Sequence, residues 1–395
     1  MYRSLASSLA ISVVLLMLSS PSQALVFDVT STDDNPDAAI DGTCADAEGA
    51  CTLRAAVQEA NANVDPTPDE INVPAGKYVL KEVGPDEDAA ATGDLDLIDP
   101  VNITGAAAGL TIVQGKKDRV FEVPIGGAAV ITDLTVTKGS IGTRKRVKGG
   151  EAFNGGGISN EGTLTLERVI VAKNKSADDG GGVSNEFGTL VMTDVHLTGN
   201  KAKDDAGGLE QDGGDVTLTR VTLSKNKAKD EAGGIEVEDG TLTGTNVTIS
   251  QNKARTGGGI NAEQSGVVVL TNATFYKNKA KALSGAIQNE ENGATVSLTN
   301  VILDSDKKGA CEGLIGSGGG NLETGSTCQF GAGDQSGVDK AGLEKLADNG
   351  GVTPTHALAP GSPAVDMGTQ TGCPADDQRG MARDDGACDV GAFEL

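Results

Sequence analysis

The sequence predicts an all-β, right-handed parallel β-helix built from three-strand coils of about 26 residues, and three observations predict it. Asn174, Asn200, Asn226, Asn252 and Asn278 recur at a constant spacing of 26 residues, each inside a Lys/Gly/Gln-Asn-Lys corner. A start of small residues recurs, with its aliphatic residue at Ile158, Val183, Leu209, Ile235, Ile260 and Ile287. Between these landmarks apolar and polar residues alternate with a period of two, the pattern of a strand with one buried face. A repeat of this length marks a solenoid, in which a single coil cannot bury its own interior.

Each element of a coil follows from that pattern. In Asp215–Asn226, Leu218 belongs to one apolar set with Leu166, Met192, Leu270 and Leu298. Val221 and Leu223 belong to another, matched by Val247 and Ile249 and by Val301 and Leu303. The two sets are out of phase by one residue, so a corner lies between them. Asn246, Asn272 and Asn300 occupy it, and asparagine tolerates the left-handed conformation a corner needs. Each coil therefore reads as three strands and three turns. The period of two, the abundant Thr and Val and the 56 glycines exclude helices from the repeat. Neighbouring coils about 4.8 Å apart supply hydrogen bonds and apolar contact. The asparagine column is expected to pass amide hydrogen bonds along the axis, as other ladders of identical side chains do.

The ends read differently. Residues 1–24 form a secretory signal peptide: Arg3, a short apolar run from Leu9 to Leu18, and small residues at Ser22 and Ala24. The mature chain is expected to begin at Leu25 and to be secreted, or to stay in the periplasm or on the cell surface, with no membrane-spanning segment. Residues 25–92 form an N-terminal cap, in which Leu53, Ala56, Val57 and Ala60 share one face of a capping helix. Residues 93–309 hold the β-helix repeats, and 310–395 the irregular final coils and a C-terminal cap. Because the sequence stops at Leu395, neither an anchor nor a translocating barrel is expected.

Six cysteines fall in three sequence-local pairs, and in an exported chain such pairs read as disulfides: Cys44–Cys51, Cys311–Cys328 and Cys373–Cys388. With only two histidines, His196 and His356, no tight zinc-type cluster is present. A formal net charge of −24 makes nucleic acid a poor partner. Acidity of this size keeps an elongated chain soluble, and a monomer is expected.

At both ends the sequence resembles a known group. Cys51-Thr52-Leu53-Arg54-Ala55-Ala56 is similar to the N-terminal motif of CSLREA-domain proteins, with Thr for the first Ser and Ala for Glu. Gly93-Asp94-Leu95-Asp96-Leu97 and Asp118-Arg119-Val120-Phe121 resemble early coils of that group. The tail, from Ala347-Asp348-Asn349-Gly350-Gly351 through Asp376-Asp377-Gln378-Arg379-Gly380 to Gly391-Ala392-Phe393-Glu394, is similar to a choice-of-anchor-like cap. The resemblance implies a right-handed parallel β-helix and no particular activity, because such folds carry enzymes and adhesive proteins alike.

Two charged columns are the candidate sites. Glu161, Glu186, Asp212, Glu238, Glu263 and Glu290 each lie three residues after an aliphatic start, and Glu210 and Glu236 widen the column. Neighbouring carboxylates about 5 Å apart repel, and calcium, which takes several carboxylate and carbonyl oxygens, is the cation such a column would hold. The second column is basic, with Lys227, Lys253, Arg255, Lys279 and Lys281 as candidates for an anionic ligand. Asp178, Asp179, Asp204, Asp205, Asp230 and Glu231 follow the basic residues in three coils and are expected to neutralise them there. No acid follows directly in the next two coils, where the stripe from Lys253 to Lys281 is the candidate for an anionic polysaccharide. A further basic cluster, Arg144-Lys145-Arg146-Val147-Lys148, interrupts the repeat as a loop.

Catalysis needs one asymmetric arrangement, yet almost every candidate belongs to a repeated column. Trp is absent and aromatic residues make up 3% of the chain, so stacking platforms for sugars are scarce. The sequence therefore reads as a secreted, non-catalytic structural or adhesive protein of the cell envelope or extracellular matrix, without catalytic residues or a cofactor other than calcium. Its partner would be an extracellular anionic polysaccharide or an envelope surface. The alternative is a polysaccharide lyase or glycoside hydrolase acting on acidic polysaccharide.

Overall fold

The computed structural model describes residues 23–63, 66–82, 89–142, 154–290, 292–305, 309–384 and 386–395. Nearly all of the expected signal peptide and the Arg144–Lys148 cluster lie outside the described residues.

The described chain is an all-β parallel solenoid, and its register follows the repeat. On the first face, Ile158 lies over Val183, then Leu209, Ile235, Ile260, Ile287 and Cys311. On the second, Leu166, Met192, Leu218, Gly244, Leu270 and Leu298 stack. Val171, Leu197, Leu223, Ile249, Phe275 and Leu303 form the third. Apart from Gly244, all of these side chains are buried and form one continuous core. The corner between the second and third faces is left-handed, at Asn246 (φ 55°), Asn272 (φ 50°) and Asn300 (φ 55°). In earlier coils Arg168, Asp194 and Arg220 take the same conformation.

The asparagine column is a hydrogen-bonded ladder. Asn174 Nδ2 donates to Asn200 Oδ1 at 3.1 Å, Asn200 to Asn226 at 3.1 Å, and Asn252 to Asn278 at 3.0 Å. Each oxygen also accepts the backbone N–H of the preceding asparagine, closing the run at Asn226 N to Asn252 Oδ1, 2.9 Å. Every one of these amides is buried, so each needs its neighbour.

Parallel pairing begins before the boundary expected at residue 93. Val26–Asp28 pairs with Asp69–Val73, which pairs with Val101–Gly105. The helix Leu53–Ala62 starts at an N-cap, Thr52, whose hydroxyl accepts from Ala55 N at 3.0 Å. Its expected face, Leu53, Ala56, Val57 and Ala60, is buried. Arg54 is buried as well, paired with Asp34 at 2.9 Å and donating to the carbonyls of Ala90, Gly93 and Asp94.

Three disulfides join Cys44–Cys51, Cys311–Cys328 and Cys373–Cys388, as the sequence spacing suggested. They fit an oxidising compartment outside the cytosol. No described helix is long and apolar enough to cross a membrane. The C-terminal segment also packs along the side of the stack. Thr222 Oγ1 donates to Pro354 O, Thr248 Oγ1 to Gln378 Oε1, and Asn272 Nδ2 to Gly391 O. His356, expected in the cap, meets Ser250 Oγ at 2.9 Å.

Asn226→Ala removes an oxygen that serves two N–H groups of Asn200 and an amide that serves Leu197 O. The expected loss is on the order of 3 kcal/mol, read by urea unfolding; exposed Thr217→Ala is expected to cost under about 0.5 kcal/mol.

Candidate active site

Alternation along the first face sets the site. Leu209 and Gln211 point inward and Glu210 and Asp212 outward; one coil on, Ile235 and Val237 point inward and Glu236 and Glu238 outward. One outward column runs Ser159, Ser184, Glu210, Glu236, Asn261, Gln288. Among the described residues the column also runs back through Glu122 to Asp96 and on to Glu312, so carboxyls alternate with Ser, Asn and Gln and the repeat is not uniform at this position.

Although they point outward, Glu210 and Glu236 are 2% and 1% exposed, because the turn before each strand crowds over it. Small residues permit this approach: a Cβ on Gly180 would stand 2.9 Å from Glu210 Oε2. The turns carry Asp179, Asp205 and Glu231, stacked by Asp205 N donating to Asp179 Oδ1 at 2.8 Å and Glu231 N to Asp205 Oδ1 at 2.6 Å. The result is a groove lined by acids from both the turns and the strands.

At one point three carboxylates converge. One oxygen each from Glu231, Glu263 and Glu290 lie within 4.8 Å of one another. Asn261 Nδ2 donates to Glu231 at 2.7 Å, and Gln288 Nε2 to Glu290 at 2.9 Å. The carbonyl oxygens of both amides, Asn261 Oδ1 and Gln288 Oε1, are buried and accept no hydrogen bond, as are Glu210 Oε2 and Glu236 Oε2. Turning either amide over directs its oxygen into the trio. Three carboxylates and two amide oxygens are the donor set a hard cation such as calcium takes. Two further convergences occur among the described residues: Asp178, Asp179 and Asp204 in the turns, and Asp94, Asp96 and Glu122, whose charge one arginine partly offsets. Arg119 pairs with Asp94 at 3.1 Å and Glu122 at 2.9 Å, and Ala90 N donates to Asp96 at 2.8 Å.

Crowding shifts the proton affinities of the groove. Burial, reinforced by neighbouring carboxylates, pushes Asp179, Glu231, Glu238 and Glu263 each up to about 7. Burial holds Glu210 and Glu236 well above the carboxylate range. Proton-holding carboxyls thus stand beside others that ionise near neutrality, the combination acid–base chemistry requires.

The six-acid column of the sequence is only partly assembled. Glu263 and Glu290 meet, with Glu231 as the third member rather than Glu238. Glu186 lies opposite Asp212, but a bulge sets Asp212 against Asp239 instead of Glu238. Glu161 joins none of the three-carboxylate convergences among the described residues. Asp179, Asp205 and Glu231 crowd into the groove and Arg255 pairs with Asp230 and Glu231, and among the described residues no ion pair joins Asp179, Asp205 or Glu231 to Lys227, Lys253 or Lys279. Arg255 is therefore occupied rather than open to an anionic ligand. Lys227, Lys253 and Lys279 instead line a separate cavity of 420 Å³, and Lys281 is not part of its lining.

One aromatic residue the composition argument passed over stands at the rim. Phe187 follows Glu186, is 75% exposed, and takes a left-handed φ of 57°. Its ring lies against Gly213, where an added Cβ would be 2.6 Å from Phe187 Cδ1. A bulky residue in that conformation is a marked departure from ordinary backbone preference.

No family model matches the chain, and no curated protein matches it. Among solved structures, the chain is similar to pectate lyase Pel9A at 14% identity, covering 94% of this chain and 97% of that one, with a TM-score of 0.53. It also matches the catalytic domain of a GH87 α-1,3-glucanase, at 11% identity over 81% and 66% of the two chains, with a TM-score of 0.33. The A-module of Azotobacter vinelandii mannuronan C-5 epimerase AlgE6 matches at 16% identity over 75% and 99%, also with a TM-score of 0.33. The likeness to the pectate lyase shows the same fold over nearly the whole of both chains. The expectation of a non-catalytic scaffold is corrected here. The fold shared over nearly the whole chain is one that a pectate lyase uses, and the outward position of Glu210 and Glu236 varies from coil to coil, so uniformity of the stack does not exclude catalysis.

Carboxyls with a folded pKa above the unfolded value hold extra protons in the native state. Their contribution to stability is present below about 4.5 and lost as pH rises through 7. His196 and His356, pushed down to about 4 by burial, act in the opposite sense but only below 6.5. In chelator, the melting temperature is expected to fall from pH 6.5 to about 8, and Glu236→Gln to flatten the fall. A rise over that interval would contradict this electrostatic picture.

Proposed function

We propose that the protein is a polysaccharide lyase that cleaves a uronic-acid-containing chain in the acidic groove. The observation that carries this reading is the convergence of Glu231, Glu263 and Glu290 beside buried Glu236, with the amide oxygens of Asn261 and Gln288 unpartnered. The full-length likeness to a pectate lyase supports it.

An acidic chain does not enter an acidic groove unaided. A bound divalent cation would screen the groove and draw charge from the uronate carboxylate, making the neighbouring carbon-bound proton more acidic. Glu231, Glu263 and Glu290, with the two amides, would hold that cation. Glu236 and Glu238 share one face of their strand, two residues apart. Glu238, ionising at about 7, takes the proton from carbon. Glu236, kept protonated by burial and only 1% exposed, does not touch the substrate and would serve the departing glycosidic oxygen as a proton reserve, passed on through a neighbouring groove carboxyl. Phe187 offers an apolar face to a sugar ring at the groove's rim.

The test incubates the protein with polygalacturonate and alginate, with calcium or with chelator. Unsaturated products that absorb in the ultraviolet and vanish with chelator are expected. Glu236→Gln is expected to lower kcat by roughly 10²- to 10⁴-fold, and Phe187→Ala to raise KM about 2- to 10-fold. Reducing ends without unsaturation would replace elimination by hydrolysis, and no product from any uronate polymer would overturn the reading.

A further inference from the structure

The lysines the turn acids leave uncompensated gather in one place. Lys201, Lys227, Lys253 and Lys279 stack coil over coil in register, and Lys225 and Lys277 flank them to line the 420 Å³ cavity. Between the two cation columns runs the buried asparagine ladder, so the lysines sit on a rigid base. Lys225 and Lys277 are held at left-handed corners (φ 57° and 49°), and Lys277 Nζ rests 4.5 Å from the centre of the Tyr276 ring. Among the described residues, none of the six pairs with a carboxylate, whereas Arg168, Arg220 and Arg255 all do.

Six exposed ammonium groups share this wall; Lys277 has Asp304 near enough to act on it, while the other five repel one another, and a bound anion relieves that. The acidity of the whole chain does not do so, because charges beyond about 8 Å are screened at physiological ionic strength. The cations extend over four coils, three steps of about 4.8 Å. A ligand that engages them all therefore carries several anionic groups in a row, which a single small anion does not.

We propose that this lysine-lined cavity is a binding site for a stretch of anionic polysaccharide, distinct from the acidic groove. It rests on the polysaccharide reading for the class of ligand, but not on any turnover.

The experiment measures binding of polygalacturonate, dextran sulfate, uncharged dextran and a single-stranded oligonucleotide to the full chain by calorimetry, with salt varied. Binding is measured on Glu236→Gln, so that cleavage does not intrude. Polygalacturonate is expected to bind and to weaken with salt; equal binding of dextran sulfate assigns the site to anionic glycans generally. Lys227→Glu with Lys253→Glu is expected to weaken affinity at least about 10-fold with a shallower salt dependence, while the melting curve stays unchanged because both side chains are exposed. Undiminished binding by the double variant, equal binding of uncharged dextran, or preference for the oligonucleotide would overturn the proposal. Absence of turnover in wild-type protein with binding intact would overturn the lyase reading alone.

Discussion

Every feature of this molecule depends on coils lying in register, because no coil satisfies its own polar groups. The ladder from Asn174 to Asn278 makes the dependence concrete: each amide is buried, and its partner is the same residue one turn away. A slip of one residue would turn the core columns outward and strand these amides without partners. Repetition thereby converts a sequence spacing of 26 into a vertical alignment of side chains, and that alignment brings charges together.

The same constraint explains how a repetitive stack holds a non-repetitive groove. The inward residues must stay apolar or ladder-forming, but the outward ones are free to vary from coil to coil. The column Ser159, Ser184, Glu210, Glu236, Asn261, Gln288 uses that freedom. Small residues at the turns let the chain crowd close enough to bury what would otherwise be exposed carboxyls. Burial then raises their proton affinity, so a position in the repeat becomes a chemical property.

The core and the ladder were legible in the sequence because both rest on strict periodicity. So were the disulfides, whose partners are near in sequence, and the capping helix, whose apolar face is local. The groove was half legible. Glu263 and Glu290 follow the repeat, but Glu231 sits in a turn, and a turn's direction is not written in its spacing. The bulge that sets Asp212 against Asp239 shifts the register within a single pair of strands, and nothing in the repeat announces it. The lateral docking of the C-terminal segment joins Thr248 to Gln378, 130 residues apart, a separation at which single-sequence patterns carry no information. The lysines stack in register as their spacing suggests, but the six-acid column is only partly assembled, because a bulge displaces Asp212 from Glu238 and a turn acid, Glu231, joins Glu263 and Glu290.

The groove turns on whether Glu231, Glu263 and Glu290 act together on one cation. Calorimetric titration of the chelator-treated protein with calcium measures this directly, beside the same titration of Glu263→Gln. One saturable binding event in the wild type that is abolished in the variant is the expected result. No binding, or binding of equal strength in both proteins, would contradict the convergence of these carboxylates on a cation.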